Sequence, residues 1–147
     1  MVETVHGTIV ECNTAYPGER NTTDAHRRTM IKHGWSKLFD VDILDAEGPD
    51  LELPIPNGKR IQKNLVGKDI KNYDSMLVLS HFKGHPMGGF GGALKQLSIG
   101  CASSAGKANI HGAGKPEEMW TTEQNAFLES MADAAESVVK LFDGKIV

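Results

Sequence analysis

The feature that most constrains this chain is a stretch of 42 residues, 75–116, that contains no aspartate or glutamate. It holds nine of the 16 glycines, and the apolar residues between them predict tight turns rather than a flexible linker. With histidines neutral, the stretch carries +4 and the remainder −7, which together give the net charge of −3. Its basic and imidazole side chains are Lys83, Lys95, Lys107, Lys115, His81, His85 and His111. A surface without carboxylates that carries several lysines favours negatively charged ligands.

The length and composition narrow the class of protein. A chain of 147 residues is enough for one domain with its own core. The net charge and a pI of about 6.0 argue against a general nucleic-acid or membrane-surface binder. No apolar run is long enough to span a membrane and no secretory signal is visible at the start, so we expect a cytoplasmic protein. Two cysteines, Cys12 and Cys101, are too few for a disulfide scaffold or a four-thiolate cluster, so we expect no cofactor of that kind within this chain.

Short apolar runs alternate with segments of helical spacing, which predicts a single α/β domain over residues 1–147, part of a longer architecture. The expected strands are 7–12, 39–45 and 75–80, with a further strand beginning at 145. Helices are expected after Thr22 and after Thr121, and a third is expected over 90–97, while Asn57-Gly58 predicts a hairpin. The run 75–80 is apolar nearly throughout, as in a sheet covered on both faces. We therefore expect a layered sandwich with a mostly parallel or mixed sheet and helices packed on its faces.

The segment His81–Gly92 lies just past the run 75–80 and is expected to open a helix. Ligands of open α/β sheets bind beyond the carboxyl ends of strands, and glycines allow backbone N–H groups to approach an anion. Lys83 adds a compact positive charge. The segment therefore predicts an anion-binding loop, although a tightly packed glycine-rich loop without a ligand would have the same composition. Neither the phosphate-binding loop motif nor the dinucleotide-binding motif matches.

A metal site is a further interpretation of the same stretch. Imidazole and thiolate groups suit zinc or iron, and the candidate ligands are His81, His85, His111 and Cys101. Gly84 and Pro86 argue against a helix that would bring the first two histidines onto one face. Cys101 could alternatively be a thiolate beside Lys107, although a buried and inert cysteine is the simpler interpretation.

Several motifs are similar to those of one prokaryotic family. They include Asn72-Tyr73-Asp74 through His85, Gly88 through Lys95, Gly100-Cys101-Ala102-Ser103-Ser104-Ala105-Gly106-Lys107, and Glu11-Cys12-Asn13. Together they resemble the domain of unknown function 362, whose members are often labelled iron–sulfur cluster-binding or ferredoxin-like proteins. The resemblance implies a [4Fe-4S] cluster only for longer relatives, which carry a cysteine group that this chain lacks. By motif match, the positions to test for cofactor binding are His81, Lys83, His85, Gly88, Gly89, Gly91, Gly92, Lys95, Lys107 and His111.

Three functions follow as hypotheses. The first is a domain of an iron–sulfur-associated redox protein that binds a small anion or cofactor at His81–Gly92. The second is a metal-dependent enzyme that uses His81, His85 and His111. The third is a non-catalytic domain that docks a ferredoxin-type portion or a redox partner. No catalytic residue is assigned, and neither a nucleic acid nor a membrane is expected as a partner.

Overall fold

Six short strands and four α-helices form the named elements of the computed structural model, which describes residues 7–147. The first six residues, where no secretory signal is predicted, lie outside the described range. The strands are β1 (Ile9–Glu11), β2 (Val41–Ile43), β3 (Leu51–Pro54), β4 (Lys63–Val66), β5 (Lys83–His85) and β6 (Gly89–Gly91). The helices are α1 (Thr23–Lys32), α2 (Ala93–Lys95), α3 (Ser104–His111) and α4 (Gln124–Leu141), and a π-helical turn, Gln96–Gly100, continues α2. None of the described helices is both long and apolar enough to cross a bilayer.

The described strands form three separate two-stranded sheets, so the predicted layered sandwich with a mostly parallel sheet is wrong. Of these described strands, β1 and β2 pair in parallel, whereas β3 pairs with β4 and β5 with β6 in antiparallel hairpins, and an isolated parallel bridge joins Met76 to Ile146. The reason is the run 75–80, for which the sequence predicts a strand in a sheet covered on both faces. Within residues 7–147 its backbone hydrogen bonds join only the segment 145–147, and Leu77 and Leu79 are 45% and 67% exposed. The apolar composition of this segment predicted burial between two layers, but within the described part of the chain no layers cover it on both faces.

Helix α4 provides the face on which most of the core packs. Phe127, Met131, Ala134 and Val138 recur at helical spacing and are all buried, as the sequence predicts. The first three cluster with isoleucines of the β3–β4 hairpin and of α3, and Val138 belongs to a second cluster that includes residues of β3 and β4. Full burial of a Phe, Met or Val side chain contributes about 1.5–3 kcal/mol to stability. The carboxyl end of α4 thus anchors one half of the chain, and its amino end supports α3 and the β5–β6 hairpin.

The segment predicted as a loop that opens a helix is an antiparallel hairpin. Lys83 lies opposite Gly91, and His85 lies opposite Gly89, which has the left-handed φ of 71° that favours glycine after a tight turn. Because side chains alternate along a strand, Lys83 and His85 share one face of the hairpin and Phe90 lies on the other. The helix expected over 90–97 begins only at Ala93, after the hairpin has closed. The hairpin therefore has a cationic inner face and an aromatic outer face.

A buried carboxylate fixes the turn of the β3–β4 hairpin onto α4. Asp133 is 7% exposed and accepts hydrogen bonds from the backbone N–H groups of Lys59, Arg60 and Ile61, at 3.0, 2.7 and 3.1 Å. Hydrogen bonds from neutral donors to a charged acceptor are stronger than those between neutral groups. The carboxylate therefore satisfies three amides that no strand partner reaches.

Removing this carboxylate should destabilise the chain without altering its surface. We predict that Asp133→Ala lowers the free energy of unfolding by about 3 kcal/mol, because three partly buried amides lose a charged acceptor. The control is Glu136→Ala on the exposed side of the same helix, where an ion pair with Lys140 contributes less than about 1 kcal/mol. Urea unfolding followed by circular dichroism measures both, and equal losses would contradict the anchoring role of Asp133.

Candidate functional site

Four basic side chains from three elements lie close together, and the two histidines among them stack on the ring of Phe127. We call them the basic cluster: Lys83 and His85 of β5, Lys95 of α2 and His111 of α3. The ring centroid of Phe127 lies 6.0 Å from that of His85 and 4.9 Å from that of His111, with interplanar angles of 27° and 21°. Gly91 separates the two lysines, since a Cβ at this position would lie 3.4 Å from Lys95 Cδ and 3.9 Å from Lys83 Cγ. The hairpin register and the start of α2 therefore place these groups together.

The basic cluster has no acidic counter-charge in the part of the chain that the structure describes. Among residues 7–147, no carboxylate oxygen lies within 4.0 Å of its side-chain nitrogens. Burial lowers the pKa of His85, and the positive charges of Lys95 and Lys83 lower it further. Burial also lowers the pKa of Lys95, with the neighbouring charge of Lys83 as the second cause. A site in which cations depress one another's protonation gains energy when an anion enters.

Each histidine of the basic cluster is held in one tautomer by a backbone partner. The N–H of Gly88 donates to His85 Nδ1 at 2.9 Å, so the proton of the neutral ring is on Nε2. His111 Nδ1 lies 2.7 Å from the carbonyl oxygen of Lys107, which only accepts, so here the proton is on Nδ1. Burial lowers the pKa of His111 despite this hydrogen bond, so both rings are neutral near pH 7. The two Nε2 atoms therefore differ, one being a donor and the other an acceptor.

Of the other residues predicted to bind a cofactor, some lie next to the basic cluster and others lie elsewhere. Gly88 ends the hairpin turn, Gly89 begins β6, and Gly92 lies between the hairpin and α2, next to the rings of Phe82 and Phe90. His81 is exposed before β5 and makes no hydrogen bond within residues 7–147. Lys107 is buried elsewhere, where its ammonium donates to the carbonyl oxygen of Ala102 at 2.6 Å. Its place in the binding set stays a prediction, and only its backbone carbonyl reaches the cluster.

The proposed metal ligands are not assembled around one point. Over residues 7–147, no group of three or more His, Cys, Asp or Glu side chains is placed to hold a metal ion. Cys101 is buried in the core beside Cys12, whose thiol donates to the carbonyl oxygen of Cys101 at 3.4 Å. Burial raises the pKa of Cys101 to about 11 and the pKa of Cys12 still further, while Lys107 lowers both less strongly. Both thiols are therefore protonated near pH 7, which disfavours a nucleophilic role.

A second polar group, which the sequence reasoning missed, lies beyond the carboxyl ends of the parallel strands β1 and β2. Asp45 accepts hydrogen bonds from the N–H groups of Asn13 and Ser104, at 2.8 and 2.9 Å. His26 is 1% exposed, and its Nδ1 lies 3.1 Å from Asn13 Oδ1. We call these residues, together with Lys107, the strand-end network. The available signal was the end of each predicted parallel strand, where polar groups converge. Its members mainly satisfy one another, so they join α1 and α3 to β1 and β2.

Acid should weaken the fold through the buried His26 of this network. Burial and the charge of Arg20 lower the pKa of His26 in the folded chain, against the smaller opposing effect of Asp45. Between that pKa and the unfolded value of about 6.5, the unfolded state binds more protons, so stability is lost as pH falls. We predict that the free energy of unfolding of wild type decreases from pH 7 to pH 5 and that His26→Asn flattens this decrease. Urea titrations measure it, with the exposed His33→Asn as control; an unchanged slope in His26→Asn would contradict the assignment.

Comparison with known proteins places the chain in a family. The family model described as "Domain of unknown function (DUF362)" matches residues 1–146. Among curated proteins and among solved structures, no significant match was found. The match spans essentially the whole chain and confirms the resemblance carried by the motifs of residues 72–107. With its cluster of lysines and histidines inside that matched region, the chain belongs to the DUF362 family.

Proposed function

We propose that the basic cluster binds a small anion. The observation that carries this proposal is the pairing of Lys83 and Lys95 on either side of Gly91 without an acidic partner among the described residues. Like charges at this separation repel, and part of that repulsion appears as the lowered pKa of Lys95. An anion between the two ammonium groups would relieve the repulsion and gain charge-assisted hydrogen bonds. The absence of a side chain at Gly91 leaves the space between the two lysines open.

The family label adds a redox context that rests on different evidence. A [4Fe-4S] cluster needs about four thiolates, and this chain has two cysteines, both buried with raised pKa values. The residues present therefore do not fit such a cluster, and no step is assigned to one. Association with an iron–sulfur partner remains part of the proposal on the basis of the family resemblance alone. The cytoplasmic location also stays a prediction.

The docking hypothesis is supported by a different surface. On the outer face of the β5–β6 hairpin, Phe82 and Phe90 are 75% and 59% exposed, with ring centroids 5.5 Å apart. Exposed aromatic pairs of this kind mark interaction sites more often than isolated apolar residues do. The surface faces away from the basic cluster, so a docked partner and a bound anion would not compete for the same atoms.

Inorganic phosphate provides the first test of the anion site. We predict that wild type binds phosphate and that Lys95→Met weakens the binding at least about tenfold, since one charge-assisted hydrogen bond is lost. Lys83→Met should have a similar effect, and added salt should weaken wild-type binding because ions screen the attraction. Isothermal titration calorimetry measures each dissociation constant.

The matched control is Lys115→Met, in the same acid-free stretch but on the surface and paired with Glu118. It should bind phosphate as wild type does. Wild type that binds neither phosphate nor other small anions would contradict the proposal, as would equal weakening in Lys95→Met and Lys115→Met.

A further inference from the structure

The two histidines of the basic cluster present different hydrogen-bonding groups to a ligand, one a donor and the other an acceptor. His85 presents Nε2–H, because its Nδ1 accepts from the N–H of Gly88. His111 presents the lone pair of Nε2, because its Nδ1–H donates to the carbonyl oxygen of Lys107. Within residues 7–147, neither Nε2 atom has a hydrogen-bond partner of its own. The site therefore combines several donors with one acceptor.

Neither ring can flip or change its tautomer without losing its hydrogen bond to the backbone. Turning the His85 ring over would place a carbon in front of the Gly88 amide, and protonating its Nδ1 would set two donors against each other. Turning the His111 ring over would leave the carbonyl oxygen of Lys107 facing a carbon. The face of Phe127 lies against both rings and limits their tilt. The difference between the two Nε2 atoms is thus built into the backbone around them.

We propose that the basic cluster selects a small anion that carries its own hydrogen-bond donor, a 2-hydroxy carboxylate being the simplest chemical class. This inference rests on the proposed anion site and names the ligand chemistry that fits it. The carboxylate accepts from Lys83, Lys95 and His85 Nε2–H, and the hydroxyl donates to His111 Nε2. An anion without a donor would leave that nitrogen desolvated and unpaired.

The acceptor decides the selectivity because the other groups are all donors. Ammonium groups and the Nε2–H of His85 bind any carboxylate in the same way, so they contribute equally to ligands with and without a hydroxyl. A site that places an unpaired acceptor next to the ligand rejects analogues that lack the matching donor. A net contribution of one hydrogen bond corresponds to a difference of about three- to tenfold in affinity.

Glycolate and acetate test this directly, since they differ only in the hydroxyl. We expect wild type at pH 7.5 to bind glycolate about three- to tenfold more tightly than acetate in calorimetry or in an NMR titration. Lactate and propionate form a second matched pair and should show the same preference. His111→Phe keeps an aromatic ring against Phe127 but removes the acceptor, so glycolate affinity should fall to that of acetate. Acetate affinity should not fall, since no charge is removed and the acceptor that acetate leaves unpaired is gone.

Each result bears on a separate claim. Equal binding of the two members of both pairs by wild type would overturn the selectivity while leaving the anion site intact. A preference for glycolate that persists in His111→Phe would also overturn it, since the acceptor would then be another group. Failure of wild type to bind any of the four carboxylates or phosphate would overturn the anion site and this inference with it. A surface substitution, His33→Phe, controls for the added aromatic ring and should leave both affinities unchanged.

Discussion

The contact of two imidazole rings with the buried face of Phe127 is the interaction on which the site depends. Phe127 is fully buried at the amino end of α4, and it meets one ring from the hairpin and one from α3. Four groups that can all be cations would repel one another if they stood in water at the same separation. Burial against the phenyl ring lowers the pKa of both imidazoles and so keeps them neutral near pH 7, which means that they add no repulsion to that between the two lysines. Packing against the core therefore reduces the repulsion between these groups, so they can lie together without a carboxylate.

Helix α3 joins the basic cluster to the strand-end network. Lys107 and His111 lie one helical turn apart, and the carbonyl oxygen of Lys107 fixes the tautomer of His111. The side chain of the same lysine is 7% exposed and donates to the backbone before the helix begins. Asp45 holds the N–H of Ser104 at the first residue of the helix. The position of His111 thus depends on the parallel pair of strands as well as on Phe127.

The sequence predicts the elements that carry their own local signals. Thr22 caps α1 and Gly34 follows its end with a left-handed φ of 83°, as expected from the residue types, and the acid-free stretch identifies all four members of the basic cluster. The sheet could not be predicted in the same way, because pairing depends on which segments meet and an apolar run such as 75–80 does not specify its neighbours. The buried position of the Lys107 side chain could not be predicted from the sequence either. The positive charge of Lys107 suggested that it binds a ligand, whereas the small residues before α3 leave room for its side chain to be buried.

His26 is another residue whose burial could not be predicted from the local sequence. It precedes Arg27 and Arg28 on α1, and both arginines are exposed. The structure turns it inward, where burial lowers the pKa of its ring and Asn13 holds it. Helical periodicity separates its face from that of the two exposed arginines only once the partner surface is known. Residues whose role depends on long-range contacts are therefore those that local patterns miss.

The protonation of the two histidines of the basic cluster is the most direct measure of the central claim. Long-range ¹H–¹⁵N correlation spectra of the chain with ¹⁵N-labelled histidine, recorded near pH 7, report which ring nitrogen carries each proton. His85→Gln and His111→Gln assign the two signals. The account predicts a neutral ring protonated on Nε2 for His85 and a neutral ring protonated on Nδ1 for His111. Two rings in the same tautomer, or two imidazolium ions, would contradict it.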